Sequence, residues 1–365
     1  MTFIIADEAF IAYAVEATYG STPTTTVFTG HQPIVDDGLT FRADMVPRRG
    51  ITNAGDLTYT QTNPGCEGSI GFDADYDMIG RLLYAAMGTR EKDSASVPYD
   101  NYFYHKATAT AAATGGTYPS LCFKLHRGDT MFYYQGMTVT RMTITHNAGQ
   151  DMQIACDFAG EQSTDVADST TAVSLATFQP IKHSHMVTTA ATGFYVDGPA
   201  ARNYDLTGLV KSYTLTIETG VDGNVWKLGN TYRQQPLKRG PLTVELAVTF
   251  DWDANFYASV NSGLYYEWLQ GTSTGMSVLC TYNNGLASTS ERAFRWYLPQ
   301  VAVTNAPALI KNQGVQEVTV TMRGMDAAIT AATVLGENSG SNAAAQSPLM
   351  FCLSNADAVS YETGS

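Results

Sequence analysis

The stretch LTVELAVTF at residues 242–250 alternates strictly between apolar residues and polar or small ones. Such a two-residue period is typical of a β-strand with one face on a hydrophobic core and the other face outside it. The same period occurs at 212–218, 152–158 and 317–323. Between residues 137 and 145 the apolar phase changes near Arg141, which predicts a β-bulge. The sequence therefore predicts a mainly β fold.

Only two short segments have a helical period. Residues 78–86 form one apolar stripe, with Asp75 or Asp77 as a possible N-cap and Gly88 as the end. A second stripe covers residues 256–268. We expect two short helices in an otherwise β-rich chain.

The two predicted helices indicate an internal duplication. Each follows an alternating strand that ends in Phe-Asp-x-Asp, at 66–75 and at 244–253. After each helix come a cysteine-containing strand, a hairpin region and a last alternating strand ending in glycine, about 170 residues apart in the two halves. The expected organisation is an N-terminal arm and first strand at 1–50, a first module at 51–160, a linker at 161–200, a second module at 201–335 and a C-terminal tail at 336–365.

Composition excludes several classes of function. The chain has 365 residues and a net charge of −13, with few basic clusters, which argues against binding to nucleic acid or to a membrane surface. It contains no apolar stretch of membrane-spanning length, and residues 1–19 lack a basic leader, so we expect a protein made and kept in a cytoplasm. The five cysteines show no CxxC spacing and are expected to be buried free thiols.

Three aspartates at alternate positions, Asp73, Asp75 and Asp77, resemble the start of a calcium-binding loop. An EF-hand needs glycine at the sixth position and glutamate at the twelfth, where this chain has Met78 and Tyr84. Helix capping explains these aspartates better.

No other set of residues predicts chemistry. His183, His185 and Asp197 match no metal-ligand spacing and are expected to be solvated. Glu67 and Glu245 occupy matching positions in the two halves, which favours a repeated geometric role, because a catalytic carboxylate pair needs two different environments. We expect no catalytic residue, metal or cofactor.

Several short motifs carry a resemblance to a known family. They are YGSTP at 19–23, YPSL at 118–121, MTIT at 142–145, FAG at 158–160, VKSYTL at 210–215 and FD at 250–251. In this order, and with the strand and helix pattern around them, the chain resembles the tail tube proteins of long-tailed (siphovirus-like) bacteriophages. The resemblance covers most of residues 5–330.

The resemblance implies a mainly β fold with two tandem tail-tube-type sandwich or barrel modules. In that family each domain gives four strands to a shared β-barrel, and six domains complete a ring. A duplicated chain would close a pseudo-sixfold ring from three copies, with a hexamer as the alternative. Its partners would be itself, the tape measure, terminator and baseplate proteins, with DNA passing through unbound. The location would be the virion tail, after assembly in the host cytoplasm.

The polar strand faces are expected to line the pore of such a tube, because acids and short hydroxyls repel phosphate or hold it only weakly. The expected pore-lining residues are Glu67, Ser69, Asp73, Gln153, Asp157, Thr243, Glu245, Thr249, Glu317, Thr319 and Thr321. Residues 22–49 and 163–192 are expected to clamp one ring to the next.

Other functions stay open at this point. A secreted or surface β-sandwich module for carbohydrate binding or adhesion would use the many tyrosines as platforms. A glycan-degrading enzyme would use Glu67 and Glu245. A capsid or tail-terminator role fits the duplicated order less well than a tube role does.

Overall fold

The computed structural model describes residues 10–21, 32–49, 56–92, 97–105, 118–127, 130–167, 178–186, 193–197, 203–228, 230–238, 240–251, 276–286, 290–305, 317–329 and 345–355. Antiparallel strands dominate this part of the chain, as the two-residue period predicts. The predicted helix at 256–268 lies outside the described residues. The described helices include none that is long and apolar enough to cross a membrane.

The elements before residue 168 are β1 (Phe10–Val15), β2 (Gln32–Asp37), β3 (Thr40–Arg49), β4 (Asp56–Asp73), α1 (Ile79–Met87), β5 (Thr89–Lys92), β6 (Tyr99–Tyr104), β7 (Leu121–Arg127), β8 (Thr130–Asn147), β9 (Gln153–Gly160) and β10 (Gln162–Ala167). A 3-10 turn at His183–Met186 follows.

The later elements are β11 (Gly193–Asp197), β12 (Asn203–Asp205), β13 (Val210–Glu218), β14 (Val221–Asp222), β15 (Leu237–Lys238), β16 (Thr243–Asp251), β17 (Met276–Asn283), β18 (Ala293–Asn305), β19 (Glu317–Gly324), β20 (Ala327–Ile329), β21 (Ala345–Ser347) and β22 (Met350–Asn355).

Strand pairing repeats between the two halves. In the first half β4 pairs with β9, β9 with β8, β8 with both β7 and β10, and β7 with β1. In the second half β16 pairs with β19, β19 with β18, β18 with both β17 and β22, and β17 with β11. β3 pairs with β4 in the first half, and β13 pairs with β16 in the second. We call these two sets of strands, including β3 and β13, the first and second module. Each strand of one module thus has a counterpart in the other.

The register of the two modules also matches. Phe72 lies opposite Ile154 in the first module, and Phe250 lies opposite Val318 in the second. Both long strands carry a bulge at the same place, at Thr140 in β8 and at Thr304 in β18. The Thr140 hydroxyl donates to the Asp157 carbonyl oxygen and the Thr304 hydroxyl to that of Thr321, at 3.1 Å in both cases. The predicted bulge next to Arg141 is confirmed.

The register corrects one detail of the predicted repeat. Leu121 lies opposite Met137 and Met276 lies opposite Val301, so Leu121 and Met276 occupy equivalent positions. Cys122 comes one residue after Leu121, whereas Cys280 comes four residues after Met276. The two cysteines are therefore not at equivalent positions, although both are in the predicted cysteine-containing strands. The prediction of buried free thiols is confirmed for all five cysteines.

One helix of the described chain, α1, covers the first module. The predicted limits, residues 78–86 with Gly88 as the end, are close to the observed helix, Ile79–Met87. Gly88 is the left-handed C-cap, and its N–H donates to the Tyr84 carbonyl oxygen. The Asp75 carboxylate accepts from the backbone N–H groups of Asp77 and Met78 at 2.8 and 3.1 Å. Asp75 thus caps the turn that precedes the helix. The N-cap itself is Met78, which makes no side-chain capping bond, so the prediction of Asp75 or Asp77 as the N-cap is wrong.

Chain segments outside the two predicted modules also form part of the sheets. β10 lies within the predicted linker, and Ile181 is buried with its N–H donating to the Ala74 carbonyl oxygen. In the predicted C-terminal tail β22 pairs with β18 on one side and with β6 on the other. The sheet that contains β18 and β22 therefore continues into β6 and β5, two strands that come from the first half of the chain.

Candidate functional site

The two modules join in one sheet through β8 and β13. Ser212 lies opposite Asn147 and Glu218 opposite Arg141, in an unbroken antiparallel register that we call the seam. The order β3–β4–β9–β8–β13–β16–β19–β18 consequently runs through both modules. Four strands of this order come from each module.

The predicted polar residues all lie on one face of this sheet. Directly opposite residues of antiparallel strands share a face. Pairs of polar residues that lie directly opposite each other are Ser69 with Asp157, Asp73 with Gln153, Glu218 with Thr243, Glu245 with Arg323, Thr249 with Thr319, and Asp251 with Glu317. The opposite face carries the apolar core. The structure thus brings the predicted residues of both modules onto one continuous polar face.

The seam adds residues to this face that the sequence did not assign. Thr143 lies opposite Thr216, and Thr145 opposite Thr214. Their polar alternation is visible in the sequence. Their place between the two modules depends on β8 pairing with β13, which no local pattern predicts.

Basic residues are also part of the polar face. Arg141 lies opposite both Asp157 and Glu218. The Lys211 ammonium group lies 2.9 Å from Asp251 and 2.7 Å from Glu317, and hydrogen bonds to these carboxylates raise the pKa of Lys211. The face is therefore acidic and hydroxyl-rich, with each of these cations beside carboxylates.

Glu67 lies at one end of the face between two arginines. Arg42 Nη1 donates to its carboxylate at 2.9 Å, and Arg233 Nη2 lies 3.3 Å away. The hydrogen bond from Arg42 is the main cause of a lowered pKa at Glu67. Since Arg42 is exposed, this pair stabilises the fold little.

The two glutamates cannot act as a glycosidase pair. Glu67 is on β4 and Glu245 on β16, with β9, β8 and β13 between them. Four strand spacings of about 4.8 Å separate them by roughly 19 Å. Catalytic carboxylates of glycosidases are about 5–9.5 Å apart.

A buried polar cluster underlies the seam. His146 Nδ1 lies 2.7 Å from the Tyr282 hydroxyl, which donates to the Tyr213 hydroxyl at 2.9 Å. The Trp296 indole N–H donates to the same Tyr213 oxygen at 3.3 Å. Burial and, to a smaller extent, the nearby His183 lower the pKa of His146 to about 4. The cluster joins residues of both modules and contains a neutral histidine near neutral pH.

The histidines singled out in the sequence do not form a metal site. His185 Nδ1 lies 3.1 Å from the Tyr76 hydroxyl, and the His183 ring packs on the His146 ring at 5.4 Å. Within the described ranges no group of three or more His, Cys, Asp or Glu side chains is placed to hold a metal ion.

The described part of the motif at 19–23, residues 19–21, belongs to a corner built around Glu16. The buried Glu16 carboxylate accepts hydrogen bonds from the Ser120 hydroxyl at 2.6 Å and from the N–H groups of Gly136 and Gly20 at 2.8 and 3.0 Å. Burial raises the pKa of Glu16 to about 7 despite these donors. Tyr19 packs over Gly136, where a side chain would not fit. Motifs distant in sequence thus hold β1, β7 and β8 together, which is a structural role.

Comparison with known proteins agrees with this architecture. Residues 6–324 match the phage tail tube protein family. The chain belongs to that family. The match covers every strand of both modules except β22. This tail tube protein is a structural component of a bacteriophage tail, located in the virion tail, and its family is not known as an enzyme family. Comparison with curated proteins finds no match.

Proposed function

We propose that three copies of this tail tube protein close into a ring with pseudo-sixfold symmetry, and that the rings stack into a hollow tube through which DNA leaves the virion. The observation that carries the proposal is the single sheet through both modules. Its seam shows how one module can pair with the next, because β8 of the first accepts β13 of the second.

The two ends of the eight-strand order are open edges in a single chain. Within the described residues β3 pairs only with β4, and residues 302–305 of β18 pair only with β19. Open edges invite pairing with another chain, and closure into a barrel removes them. The β3 edge of one copy is therefore proposed to continue the sheet from the β18 edge of another.

The size of the closed sheet suits a conduit. Three copies of the eight-strand order would supply 24 strands. At about 4.8 Å per strand and about 40° of tilt, the circumference is roughly 150 Å. After side chains this leaves a pore of roughly 35–40 Å, which is wide enough for a DNA duplex.

The polar face is proposed to line this pore. Its carboxylates repel phosphate, and its threonines offer only short, neutral groups. Arg141 lies between Asp157 and Glu218, and Lys211 contacts Asp251 and Glu317. Arg323 lies opposite Glu245, so each of these three cations has an acid beside it. DNA would slide along such a wall without being held.

Negative-stain electron microscopy of the purified protein tests the assembly. We expect rings or tubes with a central hole, and three chains per ring by native mass spectrometry. Six chains per ring would leave the tube intact and contradict the pseudo-sixfold trimer. A protein that stays monomeric at high concentration, with no rings, would contradict the proposal as a whole.

A further inference from the structure

The link between β13 and β16 comprises residues 219–242, and its described residues contact the first module of the same chain. We call this link the strap. The Thr219 N–H donates to the Thr140 carbonyl oxygen at 3.1 Å, and Arg233 Nη1 donates to the Cys66 carbonyl oxygen at 3.1 Å. A side chain at Gly223 would meet the methyl group of Ala159. The strap therefore covers the ends of β4, β8 and β9.

The first module has a counterpart of the strap in the link between β3 and β4. Because the module registers match, Arg42 corresponds to Glu218 and Cys66 to Val244. Residues 43–65 are thus the counterpart of the strap, and we call them the hairpin. Its described residues form an antiparallel ladder, with Met45 opposite Gln61 and Pro47 opposite Tyr59. The register of this ladder shifts between Arg42 and Asp44 and between Arg48 and Arg49.

Apolar side chains in the hairpin and at its base are exposed. Phe41, at the base of the hairpin, is 42% exposed, whereas its counterpart Ile217 is fully buried at the seam. Met45 is 62% exposed and Val46 is 43% exposed. Exposed apolar side chains grouped on one element mark a contact surface.

The second module has the surface that this hairpin would need. Arg323 and Gly324 are the counterparts of Ala159 and Gly160, and Thr304 is the counterpart of Thr140. Arg323 and Thr304 are exposed. A second copy in the ring would bring its hairpin to this surface, just as the strap reaches the first module within one chain.

We propose that the hairpin of one copy lies across the second module of the neighbouring copy in the same ring, with Pro47 over Arg323 as Gly223 lies over Ala159. This inference rests on the proposed ring. Ala159 and Arg323 lie on the polar face, opposite Glu67 and Glu245, so the links would cross that face at one end of the barrel. Each ring would then be fastened by six crossing links, three straps within chains and three hairpins between chains.

Cysteine cross-linking tests this contact. The test variant carries Pro47→Cys and Arg323→Cys, and the matched control carries Gly223→Cys and Ala159→Cys. Both are treated with a short bifunctional thiol reagent and run on denaturing gels. The native cysteines are buried, and each single substitution serves as a background control. We expect the control to cross-link within one chain and the test variant to give covalent dimers and a final closed trimer.

Two outcomes would overturn this inference and leave the proposed tube unaffected. One is a test variant that forms rings by microscopy but no cross-link between chains, while the control pair reacts. The other is a covalent series that continues without a final size, since this would place the hairpin between rings. Absence of rings in the unmodified protein would instead remove the proposed function.

Discussion

Gly136 is a single position where the backbone and its neighbours both require glycine. Its φ is +69°, and a Cβ atom there would lie 2.7 Å from the Tyr19 ring. Gly149 has a φ of +80° but no atom within 4 Å of the same position. Backbone strain acts at both sites, whereas steric overlap acts only at Gly136.

We therefore predict that Gly136→Ala lowers the free energy of unfolding by about 2–4 kcal/mol and Gly149→Ala by about 1 kcal/mol. Denaturant titration of the two variants measures the difference. Equal losses at both positions would show that the packing of Tyr19 on Gly136 contributes nothing.

His146 predicts a pH dependence of stability. Its pKa falls from 6.5 to about 4 on folding, so the unfolded chain binds the proton more tightly. The stability that the neutral ring contributes is complete above about pH 6.5 and is lost as the pH falls toward 4. The loss amounts to at most about 3 kcal/mol. His146→Gln should lack this part of the dependence, as measured by unfolding at pH 7 and pH 4.5.

Glu16 acts in the opposite direction and must be separated from His146. Its pKa rises from 4.5 to about 7, so its contribution is complete below about pH 4.5 and is lost as the pH rises through 7. Comparing His146→Gln with the unmodified protein at each pH cancels the Glu16 contribution. If the two proteins lose stability in parallel on acidification, His146 is not the group that titrates.

The sequence predicts which face of a strand a residue occupies better than it predicts which segments pack around that residue. Alternation placed Glu67, Thr249 and Thr319 on polar faces because that period depends only on the local backbone. The burial of Glu16 and His146 could not be predicted, since each is enclosed by segments more than 100 residues away in the chain. Long-range packing determines both pKa shifts.

At the scale of elements, local signals were reliable where a local cause exists. Gly88 ends α1 as a left-handed C-cap, and the change of phase at Arg141 marks a bulge. The seam and the pairing of β22 with β6 bring distant strands together. Such pairings depend on which edges meet, which alternation does not specify. The module boundaries likewise stay a prediction.

The counterpart residues Ile217 and Phe41 give an element-scale prediction. Ile217→Ala empties a buried site at the seam and should lower the free energy of unfolding by about 2–5 kcal/mol. Phe41→Ala should cost less than about 1 kcal/mol in the isolated chain, because the ring is partly exposed. It should nevertheless raise the protein concentration needed for ring formation, as measured by analytical ultracentrifugation. Unchanged assembly would show that Phe41 contacts no second copy.

At the scale of the whole molecule, the polar face should matter for passage of DNA and not for folding. Thr319 is exposed on this face, opposite Thr249. Thr319→Lys would add one cation per chain to the pore wall, and we expect tubes that retain DNA at low salt and release it as salt rises. Thr319→Ser is the matched control and should retain none. Retention of DNA by the unmodified tubes would contradict the proposal that DNA slides along the polar face without being held.

The most direct measurement is a cryo-EM map of the assembled protein at side-chain resolution. We expect both modules of every chain to contribute four strands to one closed barrel, with Glu245 and Thr319 facing the pore. Val244 and Val248 should face the core between the sheets. A map with the polar face on the outside, or with only one module in the barrel wall, would contradict a pore built by both modules.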